Sequence, residues 1–443
     1  MRHKHRIIAF AAALVIPPVL HAGASSALTP ATAKPVFAEA MRLCDADSGR
    51  LWGVSLCGPM LLVDPATRRV IGNRRGSGSK LHEADGAFEG TLSTSVNVAN
   101  TALDWDGTRW SMLLWPLPAD RVTRDVVLMH ESWHRIQDRL GLPAASPTVG
   151  YLDTPEARIR MRLEWRALAA ALRATDASSR DRAIADALVF RTWRRQLGID
   201  AAAHEDALER NEGVAEYTGR RIGAGKAAPA YTLRDLAEAE QGNSFVRSFA
   251  YHSGPACGLL LDIVEPDWRT RMNAQASFGA LLARAIGWKP PADVADAARQ
   301  AGARYGARQI VDEERARDQR HRRELVTWKQ TLVDGPVLVL PFVAMHIQFD
   351  PNTLMALPPH GTVYPTVRIS DRWGVLDARH GALVDSDWSR ARVAVGTDFS
   401  PAHPAGPGWT LVLAPGWTLV PGKRTGDWAL HASATPASRA RSH

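Results

Sequence analysis

The sequence predicts an α+β protein with three structured parts, on three observations. Short β-rich runs with turn signals fill the region from 51 to 115. Helical patterns with recognisable starts and stops fill 118–332. After Asp334, Gly- and Pro-punctuated β runs return. The expected division is a leader at 1–27, a β-rich N-terminal subdomain at 28–117, a helical domain at 118–332, an all-β C-terminal domain at 333–431, and a disordered tail at 432–443. With 443 residues, 45% of them hydrophobic, the chain can bury a large core.

The leader is an address rather than a structural element. Arg2, Lys4 and Arg6 precede an apolar run from Ile7 to Leu20, which Pro17-Pro18 interrupts and which is too short to span a bilayer. Ala22-Gly23-Ala24 or Ser25-Ser26-Ala27 offers a small-residue cleavage site. A Sec-type signal peptide and an exported chain, periplasmic or secreted, are expected; an uncleaved anchor is the alternative. No second long apolar run follows, so no transmembrane segment is expected once the leader is removed. Removing its three basic residues lowers the formal charge from +8 to +5. With no basic block or stacking motif, nucleic acid is not an expected partner. An oxidising compartment permits a bridge between Cys44 and Cys57, leaving Cys257 as a buried thiol; three free thiols are the alternative. The cysteines form no zinc-cage pattern, so any metal must be held by His and carboxylate.

In the β-rich part, Leu61–Ile71 reads as two short strands around a turn. Thr91 to Leu103 alternates, with Val96 and Val98 on one face, and Asp106-Gly107 marks a hairpin between Leu103-Asp104-Trp105 and Trp110–Trp115. This sheet leads into the stretch on which the function turns. An extended peptide could pair with its edge, or the sheet could simply cover the next helix.

That next helix contains His130-Glu131-Ser132-Trp133-His134, a His-Glu-x-x-His motif. Val122, Val126, Met129, Trp133, Ile136 and Leu140 recur at helical spacing, and Gly141 and Pro143 stop the helix. On a helix, residues four apart share a face with Cβ atoms about 5–6 Å apart, so His130 and His134 can grip one ion. Glu131 lies beside that ion, placed to take a proton from water. The plain alternative is two histidines near a core face with a solvated Glu between them.

A catalytic zinc takes three protein ligands and keeps one position open. Helices are expected from Thr154-Pro155 to about Ala174, from Ser179 to Gly198, and from Asp200 to Gly223. The last carries Glu205, Glu209, Glu212 and Glu216 on one face, a pattern most often solvated, but a mid-helix Gly213 signals close packing. Glu164, acidic amid apolar neighbours, is the rival ligand or else a buried partner of Arg166 or another base.

His-Glu-x-x-His followed by Asn211-Glu212-Gly213 resembles the gluzincin zinc metallopeptidases, above all their aminopeptidase N-like branch. The resemblance covers about 126–263 and implies a helical gluzincin-like catalytic core. It makes Glu212 the third ligand of one Zn2+ per chain, with His130 and His134, and Glu131 the general base. Glu216 matches a carboxylate that supports a zinc histidine in thermolysin-like members, although those use Asp. Tyr251 and Gly254 match a Tyr-x-x-Gly whose Tyr hydrogen-bonds the oxyanion, with Ser253 where that branch has Lys and Ser253-Pro255 expected to open the helix. His252 could donate to the oxyanion instead, as a histidine does in thermolysin-like enzymes; Tyr251 could also be an ordinary core residue. The chain departs from the family in the long interval between His134 and Glu212 and in lacking a Gly-x-Met-Glu-Asn motif for the substrate amine. The resemblance implies an exported peptidase that hydrolyses peptide substrates with a zinc-activated water, leaning to aminopeptidase. The alternative is an inactive binding or scaffold protein of the cell envelope with the same fold.

Beyond the core, 268–304 reads as short helices broken at Gly287 and Pro290-Pro291, and Tyr305 to about Leu332 as one charged, solvated helix. The C-terminal β runs include Val337–Leu340, Met345–Phe349, Thr362–Tyr364, Arg392–Val395 and Trp409–Leu413. Gly408-Trp409-Thr410-Leu411-Val412 recurs as Gly416-Trp417-Thr418-Leu419-Val420, which suggests two strands paired with each other.

Overall fold

The computed structural model describes residues 27–93, 96–349 and 353–432; the leader before Ala27 and the tail after Ala432 lie outside them. The architecture is α+β, with a strand-rich C-terminal region. The chain forms two compact units that meet at Asp312 and Glu313. Among the described residues, no helix is long and apolar enough to cross a membrane.

The first unit opens with a helix that the sequence reading passed over, α1 (Pro30–Asp47), capped by Thr29 with Pro30 in its first turn. Cys44 near its end is bonded to Cys57, and Cys257 is free and buried. Six strands follow: β1 (Met60–Val63), β2 (Arg69–Gly72), β3 (His82–Ala84), β4 (Ala87–Thr91), β5 (Thr101–Trp105) and β6 (Thr108–Leu114), in spatial order β3-β4-β2-β1-β6-β5. The expected pairs β1/β2 and β5/β6 are antiparallel, the second closing through Asp106-Gly107 at positive φ. The expected strand through 91–103 is instead interrupted, with residues 92–93 and 96–100 irregular. A hairpin through Asp85-Gly86, joining β3 to β4, takes part of its place. Side chains alternate across the sheet. Leu62, Ile71 and Leu113 join the main helical core, while Leu61, Val63, Val70, Trp110 and Met112 pack in a second cluster.

β6 runs into α2 (Arg121–Ile136), which carries the His-Glu-x-x-His motif and is capped by Asp120. The helix is buried from Asp125 to Trp133, including the polar residues His130, Glu131 and Ser132. A 3-10 turn at Gln137–Leu140 ends it, and Gly141 caps that turn at φ 68°. α3 (Pro155–Arg173) and α4 (Ala177–Arg195) form a helical pair, and a continuous helical stretch then runs from 201 to 224. Within that stretch lie α5 (Ala201–Leu208), a π turn at Glu209–Gly213, α6 (Val214–Gly219) and a second π turn at Arg220–Ala224. α7 (Ala228–Ala239), also absent from the sequence reading, precedes α8 (Phe249–Val264). Ser253-Pro255 does not open α8, as expected, but lies inside it, so Tyr251 and His252 occupy its first turn. α9 (Phe278–Ala285) and α10 (Val294–Gly302) complete the first unit, and α11 (Ala307–Lys329) crosses the boundary between units.

In the second unit, a seven-stranded sheet is assembled from β7 (Val337–Pro341), β9 (Met355–Leu357), β10 (Gly361–Tyr364), β13 (Ala382–Asp385), β14 (Arg390–Ala394), β17 (Trp417–Pro421) and β18 (Trp428–Ala432). A five-stranded sheet takes β8 (His346–Phe349), β11 (Val367–Asp371), β12 (Gly374–Ala378), β15 (Ala405–Gly406) and β16 (Trp409–Leu413). Trp373, Trp409, Leu338, Ile369, Leu376 and Val393 share its core. The repeated Gly-Trp-Thr-Leu-Val segments do not pair with each other. β16 pairs with β12 and β15, and β17 with β18 in the other sheet, because the chain changes sheets at the turn containing Gly416.

At the start of α2, Asp125 is buried beside Glu39 of α1, which itself accepts from Arg42 and Arg121. Burial and the Glu39 charge push the Asp125 carboxyl up to about 6. The folded state therefore holds a proton that the unfolded chain releases near the ordinary aspartate value. Ionisation of Asp125 costs the fold nothing below about pH 4 and its full penalty above about pH 6. Asp125→Asn should stabilise the protein by about 1–2 kcal/mol at pH 7.5 and leave it unchanged at pH 4, as read by urea unfolding across that range.

Candidate metal centre

Three lone-pair atoms converge between α2 and the first π turn. His130 Nε2 and His134 Nε2 lie 3.1 Å apart, and Glu212 Oε2 is 3.6 Å and 3.4 Å from them. The three form a group able to hold a metal ion. A tetrahedral ion at about 2.0–2.2 Å from N and O ligands sets those ligands about 3.3–3.6 Å apart; the two sides to Glu212 match this, and the His130–His134 side is slightly shorter.

The outer hydrogen bonds fix what each atom can do. His130 Nδ1 lies 2.9 Å from Glu216 Oε2, so that nitrogen carries a proton and Nε2 faces inward. On the other side, Asn211 Nδ2 donates to Glu212 Oε1 at 3.0 Å, which turns Asn211 Oδ1 towards Gln137. Gln137 Nε2 donates to that oxygen and to the Pro143 carbonyl, leaving Gln137 Oε1 to accept from His134 Nδ1 at 2.9 Å. With both histidines neutral, the inward nitrogens and the carboxylate oxygen are all acceptors, an arrangement that favours a positive charge, proton or metal, among them. Burial disfavours a proton on His130, but Glu212 and Glu216 outweigh it and raise its pKa to about 10. The same field that draws a proton draws a metal cation. Burial also opposes the charge on Glu212, yet its bonds to His130 and His134 hold its carboxyl well below the usual range.

Glu131 is 2% exposed, and its Oε2 has no hydrogen-bond partner. Oε1 is 4.0 Å from His130 Nε2. Burial raises the Glu131 carboxyl, against the pull of the two histidines. A buried, unsatisfied carboxylate beside an ion site has the features of a proton acceptor.

Tyr251 stacks on His130 with ring centroids 5.7 Å apart and planes 6° from parallel. Burial and the Glu212 charge keep its phenol well above the usual value, so it remains a hydroxyl. His252 is not drawn into this cluster: its Nδ1 bonds Asp235 Oδ2 at 2.8 Å, and its ring lies edge-on to Trp165. Glu164, the rival ligand, bonds Arg191 at 2.8 Å and also Arg194, while Arg166 bonds Glu240 instead. The buried-partner alternative therefore describes Glu164, with different arginines.

Gln137, Arg220 and Asp235 had no role in the sequence reading. Arg220, fully buried, donates to Glu216 at 3.0 Å, to Asp235 at 2.6 Å and to the Tyr251 carbonyl at 2.8 Å. That carbonyl is the one Pro255, lacking an N–H, leaves open four residues on. Signals were present, since Gln137 lies three residues from His134 and Arg220 four from Glu216, both within side-chain reach on a helix.

No family model, curated protein or solved structure matches the chain.

If the triad holds the ion, Glu212→Ala should lower zinc affinity by orders of magnitude. Glu164→Ala should keep the metal and lose about 3–5 kcal/mol of stability, because it takes one negative charge out of a buried network, leaving Arg191 with Glu209 alone and Arg194 sharing Glu205 with Arg195. Glu216→Ala should weaken zinc about 10–100-fold. Zinc titration beside thermal unfolding of the three variants separates these outcomes.

Proposed function

We propose that the chain is a zinc metallopeptidase of the gluzincin type, exported to the periplasm or secreted, acting on peptide substrates. The observation that carries the reading is the buried carboxylate of Glu131, whose Oε2 has no hydrogen-bond partner, beside the group His130, His134 and Glu212. A site that only fastened the fold to a metal would have no use for that carboxylate, whose burial is unfavourable. The motif resemblance agrees with the same assignment.

The chemistry follows from these groups. A zinc ion here would polarise a water molecule and a peptide carbonyl. Glu131 takes the proton as the water oxygen bonds to the carbonyl carbon; the C–N bond then breaks, and the proton passes to the departing amine. Tyr251, a hydroxyl held against His130, is the donor for the developing oxyanion. His252 is turned to Asp235 and steadies the start of α8. Glu216 and Gln137 fix the tautomers of the two histidines.

Glu131→Gln is the decisive variant. It should retain about one zinc per chain by elemental analysis and lose peptide hydrolysis by at least about 1,000-fold. A wild-type chain that binds zinc yet cleaves no peptide would favour the inactive binding or scaffold protein.

A further inference from the structure

The charges around the triad bear on which part of a peptide it takes. Removing an N-terminal residue requires that a free ammonium group be neutralised close to the cleaved bond. That needs carboxylates not already matched to cations, since a desolvated, unpaired ammonium is strongly unfavourable. Asp153, Glu164, Glu205 and Glu209 are the carboxylates that the sequence offers for that task. Each is already matched. Glu164 bonds Arg191 and Arg194; Glu209 bonds Arg191 at 2.7 Å. Glu205 bonds Arg194 at 2.8 Å and Arg195 at 2.7 Å, and also accepts from Tyr151. Asp153 accepts from Ser244 Oγ at 2.6 Å and the Phe245 N–H at 2.7 Å, with Arg158 at 3.8 Å. Glu164, Glu205 and Glu209 are almost wholly inaccessible. Recruiting one of them would leave the buried arginine network short of a negative charge, at a cost of about 3–5 kcal/mol.

Nearer the triad the same holds. Glu216 is shared by His130 and Arg220, and Asp235 by Arg220 and His252. Among these carboxylates, Glu131 alone has a buried oxygen, Oε2, without a hydrogen-bond partner, and its place is that of the base.

We infer that the site takes peptide bonds inside a chain, since none of the carboxylates named above is free to anchor an amino terminus, and that the protein is an endopeptidase rather than the aminopeptidase its motifs suggest. The inference rests on the metallopeptidase reading. The bond broken and the path of the proton are the same; what changes is the substrate.

The test is a mass-spectrometric digest by the full zinc-loaded chain of one mixed peptide library, prepared with free, acetylated and C-terminally amidated ends. The expected result is the same internal cuts in all three sets, with rates within about threefold of one another. Stepwise loss of single N-terminal residues from peptides with free amines alone would overturn the inference while leaving the metallopeptidase reading intact. So would loss of single residues from free carboxyl ends alone. A zinc-loaded chain that cuts none of the sets would overturn the metallopeptidase reading, and the inference with it.

Discussion

The backbone of α8 meets the helical stretch carrying Glu212 at a point where neither has a side chain. A Cβ on Gly254 would lie 2.3 Å from the Gly213 Cα, and one on Gly213 would lie 3.1 Å from the Ala250 carbonyl oxygen. On the far side of the same stretch, a Cβ on Gly219 would come within 2.6 Å of the Val126 carbonyl oxygen of α2. The stretch from 209 to 219 is thus held between α2 and α8 at backbone contact distance. Each interior glycine costs a helix about 1 kcal/mol relative to alanine, so the close approach has to be worth more than that. It sets Glu212 and Glu216 against the histidines of α2, and Tyr251 against His130. The π turn at Glu209–Gly213 shares in this, since an inserted residue locally rotates the side chains that follow it.

Charge then separates residues that look alike in sequence. Glu164, Glu205, Glu209, Glu212 and Glu216 are all buried glutamates, and the partner of each defines its role. Arginine, always protonated, makes a closed ion pair of Glu164, Glu205 and Glu209. Glu212 faces imidazoles, whose inward nitrogens offer lone pairs and leave room for a cation. Glu216 lies between these cases, with one oxygen on His130 and the other on Arg220. The arginine offsets the negative charge that the histidine alone would leave.

What could be read from the sequence follows from how local each feature is. The convergence of His130 and His134 was legible because four-residue spacing on a helix is itself a geometry. Glu212 was legible through the glycine after it, whose close packing the Gly213–Gly254 contact accounts for. The hairpin at Asp106-Gly107 was legible from its turn chemistry, and the one at Asp85-Gly86 carried the same signal unread. Partnerships between distant segments left no such mark. Asp235 meets Arg220 and His252 only once α7 has docked, and the sequence does not say which sheet will receive each copy of Gly-Trp-Thr-Leu-Val. Pro255 was misread because a proline after a serine usually opens a helix. Here Arg220 supplies the donor that the ring lacks, and the helix can start earlier.

The long interval between His134 and Glu212 is the plainest departure from the pattern of the gluzincins that the motifs resemble, and the packing gives it a purpose. A flexible insertion would cost little closure entropy, but it would also position nothing. The interval is instead filled by α3 and α4, whose Glu164, Arg191 and Arg194 are buried between the helices. Arg191 and Arg194 reach across to Glu209 and Glu205, tying down the first half of the stretch that carries Glu212. Arg220, bonded to Asp235 of α7, ties down its second half. Glu212 therefore sits between buried guanidinium anchors on either side in sequence, Arg191 and Arg194 acting before it and Arg220 after it, and α4 supplies the first two. The helices between His134 and Glu212 are thus part of what holds that carboxylate still.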